Sequence, residues 1–311
     1  FPKVMMDDIL GLSWDYFNHE GIEFFDSINF LKAGIAFSTK VTTVSKTYAE
    51  EIQTDFYGEN LTGITRKRSG DLIGIVNGID YAQNDPTTDK RLYATFTADD
   101  LEGKKINKLS LQKDTNLEVN ESIPLIGLIS RLVDQKGLDL VDRMISELLS
   151  MNLQLIVLGT GDKKYEDLFR WAQGAFPGKM SANICYDGTL AQRIYAACDM
   201  FLMPSLFEPC GLSQIFSMRY GTVPIVRETG GLRDTVIPYN HFTETGTGFS
   251  FSNYNAHEMK DTIGRAIAVY QEKEKWSRLV RQCMQQDFSW DHSAMEYKTL
   301  YGQICGITVT R

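Results

Sequence analysis

From residue 123 onward, short runs that are apolar throughout alternate with amphipathic stretches, and this alternation constrains the fold more than any other feature of the chain. Ile123-Pro-Leu-Ile-Gly-Leu-Ile129, Leu153-Gln-Leu-Ile-Val-Leu158, Met200-Phe-Leu-Met203 and Val223-Pro-Ile-Val226 have strand length, and each is followed by a glycine-bearing turn and a helical pattern. Ile184-Cys-Tyr186 reads as a further strand, before a helix that Thr189 and Gln192 cap reciprocally. Strands with no polar face need cover on both sides, which means a parallel sheet between helices. The expected fold class is therefore α/β, doubly wound. Met259, Ile263, Ala266, Ile267 and Tyr270 mark a later helix that starts at an Asn255/Glu258 cap, with two more helices around residues 276–286 and 292–304.

The region before Asn77 has a different texture. Ile28, Leu31 and Ile35 mark a helix face, Lys40-Val-Thr-Thr-Val-Ser45 a strand, and Thr47 and Glu50 have capping-box spacing. These read as the last βα units of another α/β domain. Residues 80–121 are polar and irregular, with Asp85-Pro86 as a turn signal. At about 100–200 residues per domain, 311 residues make two domains, or one and a piece of another.

Composition excludes several classes of function. The net charge of −8 disfavours a nucleic-acid coat, which needs a basic excess. The five cysteines contain no C-x-x-C pair and the four histidines are scattered, so no zinc ribbon, disulfide scaffold or metal cluster is expected. No apolar run approaches the roughly 20 residues of a membrane helix. A soluble protein of a reducing compartment, the cytoplasm, is the resulting expectation.

Ligands of open parallel sheets bind outside the carboxyl ends of the strands, so the chemistry is sought in the turns. The first holds Arg131 and Lys136, a guanidinium fork and an ammonium suited to a diphosphate; two solvated surface cations are the alternative. The second, Glu208-Pro-Cys-Gly-Leu-Ser213, opens a helix whose free N–H groups favour an anion. There Gly211 permits close approach of a phosphate. Glu208 cannot bind phosphate, but it can accept hydrogen bonds from sugar hydroxyls or steady positive charge on a sugar ring; a capping carboxylate is the plainer reading. The third, Glu228-Thr-Gly-Gly-Leu232, pairs Gly230 with Gly231, which suits a nucleotide or simply a tight turn. Tyr186 suits either a stacked base or the core. Gly159-Thr-Gly161 lacks the third glycine of a dinucleotide fingerprint, and no P-loop occurs.

Together these segments resemble the bacterial glycogen synthases and plant starch synthases. Ser130-Arg-Leu-Val-Asp-Gln-Lys-Gly137, Phe207-Glu-Pro-Cys-Gly-Leu212 and Tyr220-Gly-Thr-Val-Pro-Ile-Val-Arg-Glu-Thr-Gly-Gly-Leu-Arg-Asp-Thr235 carry the resemblance. Asn29-Phe-Leu-Lys-Ala-Gly34, Val41-Thr-Thr-Val-Ser45, Ile75-Val-Asn-Gly-Ile-Asp80 and Asp287-Phe-Ser-Trp290 extend it in order over nearly the whole chain. The resemblance implies a GT-B arrangement of two Rossmann-like domains facing a cleft, the first incomplete here. Residues 1–76 would be the end of the acceptor-side domain and 77–290 the nucleotide-sugar domain. Residues 291–311 would form a helix crossing back.

The resemblance also implies transfer of glucose from ADP-glucose to the nonreducing end of an α-1,4-glucan with retention of configuration, without a metal or other cofactor. Arg131 and Lys136 would bind the donor diphosphate, and Glu208 would lie by the glucose. Cys210, Gly211, Leu212 and Ser213 would form the phosphate-binding helix start. Asn77 would contact the sugar and Tyr186 would face the adenine. The family's Lys-x-Gly-Gly-Leu segment and donor-site histidine have no counterpart, and are expected upstream of Phe1. A related transferase using UDP-glucose, or a nucleotide- or glucan-binding fragment without turnover, are the alternatives.

Overall fold

The computed structural model describes residues 1–307. The chain packs as two units, Phe1–Val76 together with the residues from Ala294 onward, and Asn77–Ser293. In the first, β1 (Glu23–Phe24) and β2 (Ser27–Ile28) form an antiparallel hairpin, followed by α1 (Phe30–Phe37), β3 (Val41–Thr43), α2 (Lys46–Glu51), α3 (Thr62–Lys67) and β4 (Leu72–Gly74). Strands β3 and β4 pair in parallel, Val41 opposite Leu72. Two sequence expectations are corrected here. The cap of α2 is Ser45, whose side chain accepts from the Tyr48 amide, while Thr47 is buried inside the helix. Ile28 belongs to β2 rather than to a helix face, and Leu31 on α1 is 65% exposed.

The second unit holds α4 (Glu102–Asp114), β5 (Leu125–Ile129), α5 (Leu138–Ser150), β6 (Gln154–Leu158), α6 (Lys163–Ala175), β7 (Met180–Asn183), α7 (Gly188–Ala197) and β8 (Met200–Met203). It continues with α8 (Ser213–Arg219), β9 (Val223–Arg227), α9 (Gly230–Thr235), β10 (Phe249–Phe251), α10 (Ala256–Gln271), α11 (Lys273–Met284) and the start of α12 (Trp290–Cys305). Its six strands form one parallel sheet in the order β7-β6-β5-β8-β9-β10. Strands β5, β6, β8 and β9 are buried almost throughout, because helices cover both faces. One core joins β5, β6, β8 and β9 to α5, α10 and α11, while Leu111, Ile156, Ile194 and Cys198 fill the opposite face. Gly127 in β5 makes the second packing possible: a Cβ there would lie 2.8 Å from Ile194.

The sequence reading misplaces or misses three features of this unit. The strand expected at 184–186 is β7, which ends at Asn183, so Tyr186 lies in a loop. The cap of α7 is Asp187, which accepts from the amides of Thr189 and Leu190; Gln192 instead donates to Asn84. The polar stretch 80–121 contains helix α4, whose buried face is largely polar. Lys104 donates to the carbonyls of Ala196 (3.0 Å) and Tyr220 (2.9 Å) and to the Thr222 hydroxyl, which places an ammonium at the C-termini of both α7 and α8. Asn107, Lys108 and Gln112 are buried beside it with their own partners.

Candidate functional site

The sheet grows from β5 outward through β6 to β7, then restarts on the other side of β5 with β8. That reversal places the switch point, where doubly wound sheets take ligands, between the carboxyl ends of β5 and β8. The loops leaving these strands carry the first two groups of candidate residues.

The two loops are joined tightly. After β5 the chain makes a 3-10 turn, Asp134–Lys136, closed by Gly137 in the left-handed region. A Cβ on Gly137 would lie 2.0 Å from the Pro204 carbonyl, so only glycine lets the loops meet here. The Leu206 amide donates to the Gln135 carbonyl at 2.9 Å. Across the seam, Lys136 Nζ lies 2.6 Å from Glu208 Oε2, with side chains 19% and 10% exposed. The hydroxyl of Ser205, itself buried, donates to the same carboxylate oxygen at 3.2 Å. Asp134 accepts from Lys164 and Tyr165, which hold its carboxyl below the usual range, while burial and this bond push Tyr165 up to about 12.

Gly230 and Gly231 serve this same loop. A Cβ on Gly230 would lie 2.0 Å from the Glu208 carbonyl, and one on Gly231 would lie 1.9 Å from that of Cys210. The Gly231 amide donates to the Glu208 carbonyl at 3.0 Å. Both glycines are buried, and they bring the loop after β9 directly against the Glu208 loop. Gly211 has φ +69°, and the buried Gln214 amide donates to its carbonyl, to that of Cys210 and to Thr235 Oγ1. Leu212 is exposed; Ser213 begins α8, and its hydrogen bond to Tyr195 opposes the burial that pushes that phenol up to about 12.

The remaining candidates divide. The backbone of Asn77 hydrogen-bonds to the Cys210 thiol, which burial pushes above its ordinary value. Arg131 stands exposed at the rim, 3.4 Å from Gln135 Oε1. Tyr186 follows β7, the edge strand, and at 96% exposure it is not a core residue. Three supporting residues escaped sequence reasoning: Gln135, Ser205 and Arg227. Arg227 had a signal, as a charge ending an apolar strand; its guanidinium donates to the carbonyls of Ser205 and Leu206 and fixes the Glu208 loop from behind.

Among the described residues, no three His, Cys, Asp or Glu side chains stand together as a metal site, and no helix is long and apolar enough to cross a membrane. The arrangement is a cation and a carboxylate held at a switch point beside a helix start, a site suited to a phosphorylated sugar.

Residues 112–282 match the family described as glycosyl transferases group 1, and residues 1–67 match the starch synthase catalytic domain. The chain belongs to the group 1 glycosyl transferases. It is 55% identical over 305 residues to a glycogen synthase of Clostridioides difficile, and 53% identical over 302 residues to that of Clostridium acetobutylicum. These alignments cover 98% and 97% of the chain, which spans 64% and 63% of the length of those relatives. The catalytic domain of starch synthase IV from Arabidopsis thaliana, solved with ADP and acarbose, superposes with a TM-score of 0.87 at 38% identity, covering 94% of this chain and 62% of that one. A sucrose-phosphate synthase from Thermosynechococcus elongatus shares the fold at 18% identity, over 94% of this chain and 65% of that one, with a TM-score of 0.61. The fold is thus that of the GT-B glycosyltransferases.

Proposed function

We propose that the chain supplies the nucleotide-sugar half of a glycogen synthase, which moves glucose from ADP-glucose to the nonreducing end of an α-1,4-glucan with retention. The observation that carries this is the Lys136–Glu208 pair at the β5/β8 switch point, in a chain 55% identical to a glycogen synthase. The starch synthase relative solved with ADP and acarbose supports a nucleotide and a glucan as the ligands.

In this reading the donor diphosphate replaces Glu208 as the partner of Lys136, with Arg131 at the rim and the start of α8 completing the phosphate site through Gly211, Leu212 and Ser213. The C1–O bond to ADP breaks as the acceptor hydroxyl attacks C1 from the same face. Its proton passes to the departing phosphate oxygen. Glu208, freed from Lys136, steadies the oxocarbenium-like ring, and Asn77 contacts the sugar. Lys136 and Arg131 supply the positive charge that a metal would otherwise give to the leaving group, so transfer needs no metal or other cofactor. The reaction belongs to the cytoplasm, where the five free thiols stay reduced.

The test is incorporation of labelled glucose into a glycogen primer from ADP-glucose and from UDP-glucose, with ADP binding followed by calorimetry. ADP binding, transfer from ADP-glucose and insensitivity to EDTA are expected. Preference for UDP-glucose would move the chain to a related transferase. ADP binding without incorporation would favour a binding protein without turnover.

A further inference from the structure

We infer that the pocket of about 340 Å³ at the amino-terminal edge of the sheet is a second anion site, which takes a phosphate group. Glu121 and Ser122 precede β5 and Asp199 immediately precedes β8, so this pocket lies at the opposite ends of the two strands whose carboxyl ends carry Lys136 and Glu208. It is separate from the donor site, and the inference does not depend on the function proposed above.

Charge carries the argument. In a chain with a net charge of −8, this one pocket is lined by Lys104, Lys105, Lys108 and Lys273 against only Glu121 and Asp199. Lys108 is matched: its ammonium lies 2.7 Å from Asp199 Oδ2 and donates to the Glu121 carbonyl and the Tyr270 hydroxyl. Lys105 pairs with Glu121 at 2.8 Å. Two positive charges then lack a carboxylate among the described residues. The first is Lys104, 8% exposed, whose hydrogen bonds all go to uncharged acceptors. The second is Lys273, whose ammonium lies 3.6 Å from the centre of the Tyr270 ring. A buried ammonium without a counterion is costly, and helix C-termini offset only part of that cost. Burial accordingly lowers Lys273 and brings Lys104 down to about 8.

The lining also selects the ligand. Lys104 and Lys108 have all three N–H donors engaged within the protein and act on an anion through charge, so direct hydrogen bonds come from the Lys273 ammonium and the Ser122 and Ser277 hydroxyls. Such point donors suit a compact tetrahedral dianion, whereas a planar carboxylate is better served by an arginine fork, and no arginine is among the described lining residues. The volume is near the lower end for small-molecule sites, enough for orthophosphate or a sugar phosphate. Besides Lys108 and Asp199, the titratable groups facing Lys104 are the thiols of Cys198 and Cys283, both pushed far up by burial and therefore neutral. Affinity should thus follow the Lys104 proton and fall as it is lost.

The experiment is calorimetric titration of the whole chain with inorganic phosphate, and separately with glucose 1-phosphate. The proteins are wild type, Lys136→Ala and Lys273→Glu; Lys273 is exposed, so its substitution leaves the core intact. Phosphate should bind wild type and Lys136→Ala alike. Binding should weaken at least about tenfold in Lys273→Glu, and about threefold between about pH 7.5 and pH 9. A tighter hexose phosphate would assign an organic ester, and equal affinities free phosphate. The inference is overturned if wild type gives no heat at about 10 mM phosphate, if Lys273→Glu binds as wild type, or if Lys136→Ala abolishes binding.

Discussion

Lys136 and Glu208 neutralise each other across two loops, so removing either one strands a largely buried charge. Breaking such a pair costs about 3–5 kcal/mol when burial is complete. The residual exposure of this one puts Lys136→Ala near or below the lower limit, measured by urea unfolding. The same substitution should weaken ADP binding at least about tenfold, since a charge-assisted bond to phosphate is lost; unchanged ADP affinity would remove Lys136 from the donor site. Lys104 gives a second prediction. Its value falls from 10.5 to about 8 on folding, so below that pH both folded and unfolded chains hold the proton and the burial cost is fully present. Between about pH 8 and 10.5 the unfolded chain binds more protons, and the contribution of this group to stability rises with pH. Wild type should therefore gain stability relative to Lys104→Met between pH 7 and 9.5 in urea titrations. A constant gap would contradict the assignment.

At the scale of elements, caps and glycines decide where helices start and how closely loops meet. Asp187→Ala should cost about 1 kcal/mol, because it removes the acceptor for two amides of α7, whereas Thr189→Ala should change little. Thermal unfolding of the two variants separates the observed cap from the one the spacing suggests. Gly231→Ala would drive a methyl group into the Cys210 carbonyl; overpacking of this kind costs about 1–3 kcal/mol and should also weaken ADP binding by displacing the Glu208 loop. Gly174→Ala in α6, where nothing lies within 4 Å, should stabilise by about 0.5–1 kcal/mol. Helix α4 explains why pattern reading fails locally. Its buried face is Lys104, Asn107, Lys108 and Gln112 beside Leu111, so hydrogen bonds do there what apolar contact does in α5, whose seven buried residues are all apolar.

On the scale of the whole molecule, all the candidate site residues lie in the second unit, which contains the complete six-stranded sheet. Asn77–Ser293 expressed by itself should therefore bind ADP within about threefold of the longer chain by calorimetry. A loss beyond about tenfold would mean that residues outside this unit hold the nucleotide. Most of this unit is legible in the sequence, since β5, β6, β8 and β9 are apolar runs and the loops after them carry the polar residues. Less is legible where strands are short or mixed: β7 ends at Asn183, ahead of the apolar run at 184–186, and β10 is three residues long with a serine at its centre.

The sequence by itself determined the α/β alternation and the loops in which chemistry is concentrated, because burial on both faces of a strand writes itself into consecutive residues. Only the tertiary structure decided which loops meet. Lys136 and Glu208 are 72 positions apart, and nothing local makes them partners. Their contact follows from β8 lying beside β5, and from Gly137, Gly230 and Gly231 admitting backbone where a Cβ would collide. The same strand order sent Tyr186 to the edge of the sheet and placed four lysines of α4 and α11 around a pocket at its far end. A local pattern specifies whether a side chain is buried, whereas its partner depends on strand order, which is set by the packing of all the elements together.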